Sequence, residues 1–276
     1  MVKRNTLLLI KYIILVFIAI SMIFPFVVMI SIAITNNDGM FATSNIFSNN
    51  KLTLCNFKHV FTQIPITRYF LNSLIVATLT TVGQVIISAL AGYAFAKLKF
   101  KYKNALFLLI LITMMVPPQV NIIPLFFLMR ELHLVNTYSA LILPGLFGGF
   151  GVFFMRQYFL SLPKDIIDAS VIDGCNAFQT FFKIIFPLSL PAIITLSVFT
   201  FITTWNSFIW PLIITNTENM RTLPVGLAIF KGSYREITMW GDLMACSIVC
   251  IIPIIIIFIL AKKYFLSDLL AGSVKE

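Results

Sequence analysis

Six stretches of the chain are each apolar for about twenty residues, the length a helix needs to cross the hydrocarbon of a bilayer. They run approximately over 12–35, 71–96, 105–127, 138–158, 190–214 and 243–261. A water-facing globule must cover itself with polar groups and has nowhere to put so much apolar surface. Of the 276 residues, 59% are hydrophobic and only 11% charged, and the mean hydropathy is +0.99. The runs lack the apolar–polar alternation of a membrane β-barrel. With 12 Gly, 12 Pro and 4 Cys, collagen, disordered chains and disulfide scaffolds are excluded too. The expectation is an all-α membrane protein with six transmembrane helices in a single domain over 1–276. It comprises an N-terminal span at 12–35, core spans over 71–261 and a tail over 262–276.

The net charge of +10 would suggest nucleic acid as the partner of a soluble protein. Here its placement matters more. Lys3, Arg4 and Lys11 precede the first run, and Lys97, Lys99, Lys101 and Lys103 separate the second from the third without an acid among them. Arg156, Lys164 and Lys183 fall around the loop after the fourth, and Lys262, Lys263 and Lys275 follow the sixth. Thirteen of the 20 basic residues thus share one side, which the positive-inside rule assigns to the cytoplasm together with both termini. No soluble basic face remains for nucleic acid. The first run far exceeds the apolar core of a signal peptide, despite a loosely cleavage-like Ser31-Ile32-Ala33, and is expected to be a retained span.

Sites for metal or covalent chemistry are not suggested. Cys246 and Cys250, four apart, share a helix face but have no His or acidic partners nearby in sequence. Among polar residues in or beside spans, Asn72, Gln84, Gln119, Asn121, Asn206 and Asp242 have two readings. One is an interhelical hydrogen bond. The other is the lining of a solute path, with Trp205 or Trp210 stacking on a sugar ring beside Asn206 and Asn72. Asp242 reads as a helix N-terminal residue rather than a proton carrier.

The connection over 161–190 carries more structure than a loop requires. Pro163 suits a helix start, and Asp165 and Asp168 would lie near that helix's positive end. Gly174 can supply the left-handed residue that ends it. Asn176 and Gln179 have the spacing of a capping box for a second helix, and Pro187 and Pro191 break the chain before the fifth span. Two such short helices are marginal alone. Their apolar residues Ile166, Ile167, Val171, Ile172, Phe178, Phe181 and Phe182 need either the lipid interface or a partner protein.

The spacing Asp168-Ala169-Ser170, three residues, Gly174, nine residues, Ile184, one residue, Phe186-Pro187 resembles the EAA loop. That loop marks permease subunits of binding-protein-dependent ABC importers. Asn72-Ser73-Leu74, Ala91 to Ala96, Met114 to Pro117, Trp205-Asn206 and Thr222 to Leu227 resemble the carbohydrate subfamily, specifically its maltose-permease second-subunit type. The likeness spans about residue 71 to the C-terminus. Departures are Asp168 for Glu, Ser170 for Ala and Phe186 for Leu; the Asp168 carboxylate keeps the charge on a side chain one methylene shorter.

The resemblance implies a subunit that imports a sugar or oligosaccharide across a prokaryotic cell membrane. It implies a second homologous permease, two ATPase subunits and an extracytoplasmic sugar-binding protein as partners, besides membrane lipid. The ATPases would grip Asp168, Ala169, Ser170, Asp173, Gly174, Ile184 and Pro187. Asn216, Glu218 and Asn219, in the outer loop over 215–241, would contact the binding protein. ATP and magnesium belong on the partner, and no GxxxxGK[ST] phosphate loop occurs in this sequence; no bound cofactor, metal or catalytic residue is expected here. The rival readings are three. An ion-coupled secondary transporter usually shows internal repeats. A magnesium-dependent membrane enzyme on Asp165-x-x-Asp168 would need a second acidic cluster. A channel or scaffold subunit completes the set.

Overall fold

The computed structural model describes residues 2–35, 52–233 and 240–273, with helix dominating throughout and one isolated extended pairing, Thr35 with Leu52, among them. Two compact units are formed, one from Met1–Thr67 with Gly226–Ile252, the other from Arg68–Val225 with Pro253–Glu276.

In the first unit, α1 (Val2–Ala33) leads to the short α2 (Cys55–Gln63). Residues 8–27 of α1 are all exposed and, apart from Lys11 and Ser21, apolar, as expected of a helix whose solvent is lipid or a neighbouring subunit. The Asn56 amide closes the end of α1 by donating to the carbonyls of Ala33 (2.8 Å) and Thr35 (3.0 Å). His59 pairs with Asp242, which is 2% exposed in the first turn of the last helix, α14 (Trp240–Ser273). Asp242 is thus a first-turn residue, but its histidine partner 183 positions away carries no local sequence signal.

The second unit begins on α3 (Ile66–Lys97) and continues through α4 (Lys103–Met115), α5 (Ile122–Glu131), α6 (Tyr138–Ile142) and α7 (Gly149–Ser161). Next come α8 (Lys164–Ile172), α9 (Ala177–Thr180), α10 (Phe186–Leu188), α11 (Leu190–Trp205) and α12 (Ile209–Ile214). A further helix, α13 (Leu223–Ser233), straddles the units. The pattern on α3 departs from that of a soluble helix. Beside Tyr69, Val76, Val85 and Tyr93, its buried stripe holds many small or polar residues, among them Asn72, Ser73, Ala77, Thr80, Thr81, Ser88 and Ala89, while Leu71, Leu74, Ile75, Leu79, Val82 and Ile86 face outward. Small residues let helices approach closely in a membrane, where lipid already satisfies bulky side chains. The approach is close enough that a Cβ on Gly92 would lie 2.8 Å from that of Met155, and one on Gly151 2.3 Å from Ser88 Oγ.

Three helices are long and apolar enough to cross a membrane: Leu8–Ala33, Ile66–Lys97 and Trp240–Tyr264. Three bent pairs raise the number to six if each counts as one span. The expected span over 105–127 is not one continuous helix. Its helix stops at Met115 and resumes at Pro118 after a 91° bend, because Pro117 and Pro118 each lack an N–H and clash with the preceding turn. The fourth stretch bends by 42° between Gly145 and Gly149. The fifth is also broken: α11 ends at Trp205 and α12 starts at Ile209. The gap falls one turn before Pro211, whose ring clashes with a helical carbonyl four residues back. The last helix runs on through the expected tail to Ser273.

Candidate functional site

Within the 161–190 segment, the residues that shape its turn act on their near neighbours. After Pro163, α8 carries Asp165 in its first turn; Asp168, a turn further in, lies beyond the reach of the helix N-terminal field. The helix ends at Gly174, whose φ of +78° is the left-handed value. The Cys175 N–H donates to the Ser170 carbonyl (2.9 Å), the six-to-one bond of a Schellman turn. Nothing lies within 4 Å of where a Gly174 Cβ would sit, so backbone conformation alone demands glycine. Asn176 and Gln179 then close a reciprocal capping box, both bonds 2.9 Å. A π-helical turn over Phe181–Ile185 precedes Pro187, widening the helix where the proline ring would otherwise strike the preceding turn. The chain turns by 78° into α11 at Ser189.

One link ties the two limbs together. Ser170 Oγ donates to the Ile167 carbonyl (2.6 Å) and lies 3.0 Å from Thr180 Oγ1 in a buried setting. A hydroxyl has one hydrogen, so Thr180 is the donor to Ser170. The alanine of the family pattern could not make this bond.

The apolar residues divide by direction. Phe181 (2% exposed) and Ile185 (0%) sink into a cluster with Tyr93, Met155 and Phe159, against which Ile167 also packs. Ile172, Phe178 and Phe182 point away, 85%, 70% and 55% exposed. Asp168, Ala169, Asp173, Gly174 and Pro187 are exposed and Ile184 half-buried; the side chain of Val171 lies outside the described residues. The segment is thus anchored on one face and presents three large apolar side chains on the other.

A second site forms around residues 215–223. Asn136, left-handed at φ +62°, accepts through Oδ1 from the N–H of Asn216 (2.9 Å), and from the N–H and hydroxyl of Thr217 (both 3.1 Å). Asn72 Nδ2 donates to the carbonyls of Asn219 (2.8 Å) and Arg221 (2.9 Å), while Tyr138 donates to its Oδ1 (2.6 Å). Arg68 reaches the Asn219 carbonyl (3.2 Å), the Tyr69 hydroxyl donates to Glu218 (3.1 Å), and Ser73 Oγ accepts from the Leu223 N–H (2.8 Å). The side chains of Asn216, Glu218 and Asn219 remain exposed. The rest of the expected outer loop, 234–239, lies outside the described residues.

Asn72, one of the residues expected to line a solute path, is 0% exposed, and its amide is spent on the loop. Trp205 is 2% exposed, packed between Phe70 and Phe201 with ring centroids at 5.6 and 5.7 Å, so neither face is open to a sugar. Trp210 donates to the Ala140 carbonyl (2.9 Å). Asn206 alone of the proposed lining is exposed. Sequence reading missed Asn136 and Tyr138; the one hint was Thr137, which caps α6 by accepting from the Ala140 N–H (3.3 Å) and so marks a turn before it.

Residues 84–270 match the model of the family described as "Binding-protein-dependent transport system inner membrane component". Among curated relatives, the arabinooligosaccharides transport system permease protein AraQ of Halalkalibacterium halodurans is 41% identical over 231 residues, 83% of this chain and 82% of that protein. The trehalose/maltose transport system permease protein MalG of Thermococcus litoralis is 36% identical over 93% of each chain. The sn-glycerol-3-phosphate transport system permease protein UgpE of Yersinia pestis is 34% identical over 74% of this chain and 73% of its own. Among solved structures, a chain from a bacterial ABC transporter involved in import of the acidic polysaccharide alginate superposes with a TM-score of 0.81. That match has 23% identity and covers 95% of this chain and 97% of the other; it shows the fold. The chain is accordingly a multi-pass membrane protein and not itself an enzyme, ATP hydrolysis in such systems residing on a separate ATPase. With the family model spanning well over half of its length, the chain belongs to the inner membrane permease components of binding-protein-dependent ABC importers.

Proposed function

We propose that the chain pairs with a second, homologous permease to form the path by which a carbohydrate, most simply an oligosaccharide, enters the cell. The reading of the solute rests on the relatives named for arabinooligosaccharides and for trehalose and maltose. Six spans, counting each bent pair as one, would leave both termini in the cytoplasm, in line with the distribution of lysine and arginine. The helix–turn–helix of α8 and α9 docks on an ATPase subunit through Ile172, Phe178 and Phe182, flanked by Asp168 and Asp173. The clamped loop, with Asn216, Glu218 and Asn219 outward, meets the binding protein. Movement of the ATPases reaches the spans because Phe181 and Ile185 bind the docking element to α3 and α7 within the same unit. Asn206 is the residue of this chain assigned to the solute path; Asn72 and Trp205 hold structure around it.

The observation that carries the docking role is the two-faced segment, anchored by buried Phe181 and Ile185 and exposing three large apolar side chains. Replacing Ile172 and Phe178 with serine should reduce co-purification of the ATPase at least tenfold while the chain still reaches the membrane. Unchanged recovery of the ATPase would refute the docking role. Failure to insert in the membrane would instead favour a lipid-seated hairpin.

A further inference from the structure

The turn joining α3 to α4 reads Leu98-Lys99-Phe100-Lys101-Tyr102, with Lys97 before it and Lys103 after. Two of these lysines are spent on the backbone. Lys97 Nζ donates to the Leu162 carbonyl (2.9 Å), and Lys103 Nζ to those of Leu98 (2.9 Å) and Ala96 (3.3 Å). These bonds fix the turn but leave the charges uncompensated. Both lysines are half-buried; Lys164, at the start of α8, is near enough to repel Lys97, and Arg156 on α7 repels Lys103. Among the described residues, none of these cations has a carboxylate within ion-pair distance; the one such contact is His59 with Asp242. Asp165, beside Lys164 in sequence, is exposed and pairs with none of them. Positive charges gathered in a partly desolvated place are costly without an anion.

The surroundings say which anion. Lys99, Phe100, Lys101 and Tyr102 are exposed, the two rings by 40% and 67%, and Lys101 lies over the Tyr102 ring at 4.9 Å. Lys99, Lys103 and Asn104 border an open cleft of about 370 Å³ with the same aromatics. The turn begins where the apolar helix Ile66–Lys97 ends, so it lies at the level of lipid headgroups. Cations alternating with exposed aromatic rings at that depth suit a phosphate linked to an acyl chain: rings rest in the interfacial layer while ammonium groups hold the phosphate. We propose that this turn, with Lys164 and Arg156 behind it, is a binding site for the headgroup of an anionic phospholipid. The bound lipid lies beside the start of the docking helix α8 and screens the repulsion between Lys97 and Lys164.

The complex purified through this chain, reconstituted in nanodiscs of phosphatidylcholine with a minority of phosphatidylglycerol, provides the test. Native mass spectrometry counts the lipids retained. The unmodified complex should keep phosphatidylglycerol in preference to phosphatidylcholine. A Lys99→Gln, Lys101→Gln variant breaks no hydrogen bond of the fold and should lose that preference at least fivefold, since each lysine near an anionic surface contributes about that factor. The corresponding arginine pair should retain it. Equal retention in the glutamine variant would overturn the proposal. So would loss of a co-purifying subunit with lipid retention intact, which would make the patch a protein interface. Displacement of the lipid by millimolar inorganic phosphate would also overturn it, reducing the site to one for free anions.

Discussion

The connection from α7 to α11 and the one from α12 to α13 are both expected to meet partner proteins, yet they are held in opposite ways. Within the first, the turn between the two limbs is fixed by bonds between residues no more than ten positions apart: a Schellman turn, a capping box and a hydroxyl pair. Lys97 and Tyr158 hold the two ends of this connection through the Leu162 and Leu188 carbonyls. The second is fixed by side chains that reach across from 80 to 151 positions away, from Arg68, Tyr69, Asn72, Ser73 and Asn136, with Tyr138 holding Asn72 in turn. The first turns bulky apolar groups outward, the second polar ones. A local fold can move as a body with whatever grips it. A loop sewn to α3 and to the turn before α6 can shift only if those helices shift too. The difference suits an element that transmits a motion in one case and one that registers the arrangement of the spans in the other.

Asn72→Leu should break this contrast most severely. It takes the Asn72 partner from the Arg221 carbonyl and the Tyr138 hydroxyl and leaves the Asn219 carbonyl to Arg68 alone, and each buried group left unpaired costs about 1–3 kcal/mol. The expected result is greatly faster hydrogen exchange over 216–223, with stimulation by the binding protein reduced at least tenfold and the exchange of 164–188 unchanged. If both segments loosened together, the two would not be independent.

Legibility in the sequence follows the same division. The turn at Gly174, the capping box at Asn176 and Gln179, and the break before the fifth span could be read because proline, glycine and capping residues act on their own neighbours. The loop clamp could not, since nothing near Asn72 signals that residue 219 is its partner, and an amide in a span equally suits a solute path. His59 and Asp242 were hidden for the same reason. The breaks within the third and fifth stretches were missed through a different cause: apolar length was counted through Pro117, Pro118 and Pro211, whose effect on the backbone outweighs hydropathy. Membrane class and helical content survived these errors because they depend on the sum of the apolar runs and not on their continuity.

Within the docking segment, Gly174→Val should be the most damaging single change. The site has room for a side chain, so the cost is the left-handed backbone, about 1–2 kcal/mol and more for a β-branched residue. Recovery of the ATPase should fall about tenfold, and Gly174→Asn, which tolerates that conformation better, should fall less. A valine variant equal to the asparagine one would show that the turn angle is not what the ATPase reads.

Ser170→Ala sharpens the comparison, since it restores the family residue. It removes a buried bond and leaves the Thr180 hydroxyl unpaired, at a cost of about 1 kcal/mol. The double change Ser170→Ala, Thr180→Val removes both partners and should recover much of that loss, as judged by thermal melting of the purified complex. Equal melting of the single and double variants would mean that the pair contributes no more than packing.

The smallest effect belongs to Asp168→Ala. The carboxylate is exposed and sits in the second turn of α8, where it neither caps the helix nor gains from its N-terminal field. In the proposed docking, its contribution comes from a basic group across the ATPase contact. Exposed ion pairs of this kind are typically worth about 0–1 kcal/mol, so the affinity of the ATPase should drop at most about fivefold, and less at high salt. Asp168→Glu adds the methylene by which the family residue is longer and should equal or exceed the unmodified chain. A loss beyond tenfold on Asp168→Ala, unrescued by glutamate, would mean that the shorter carboxylate makes a dry, geometrically strict contact. The docking surface would then depend on charge as much as on Ile172 and Phe178.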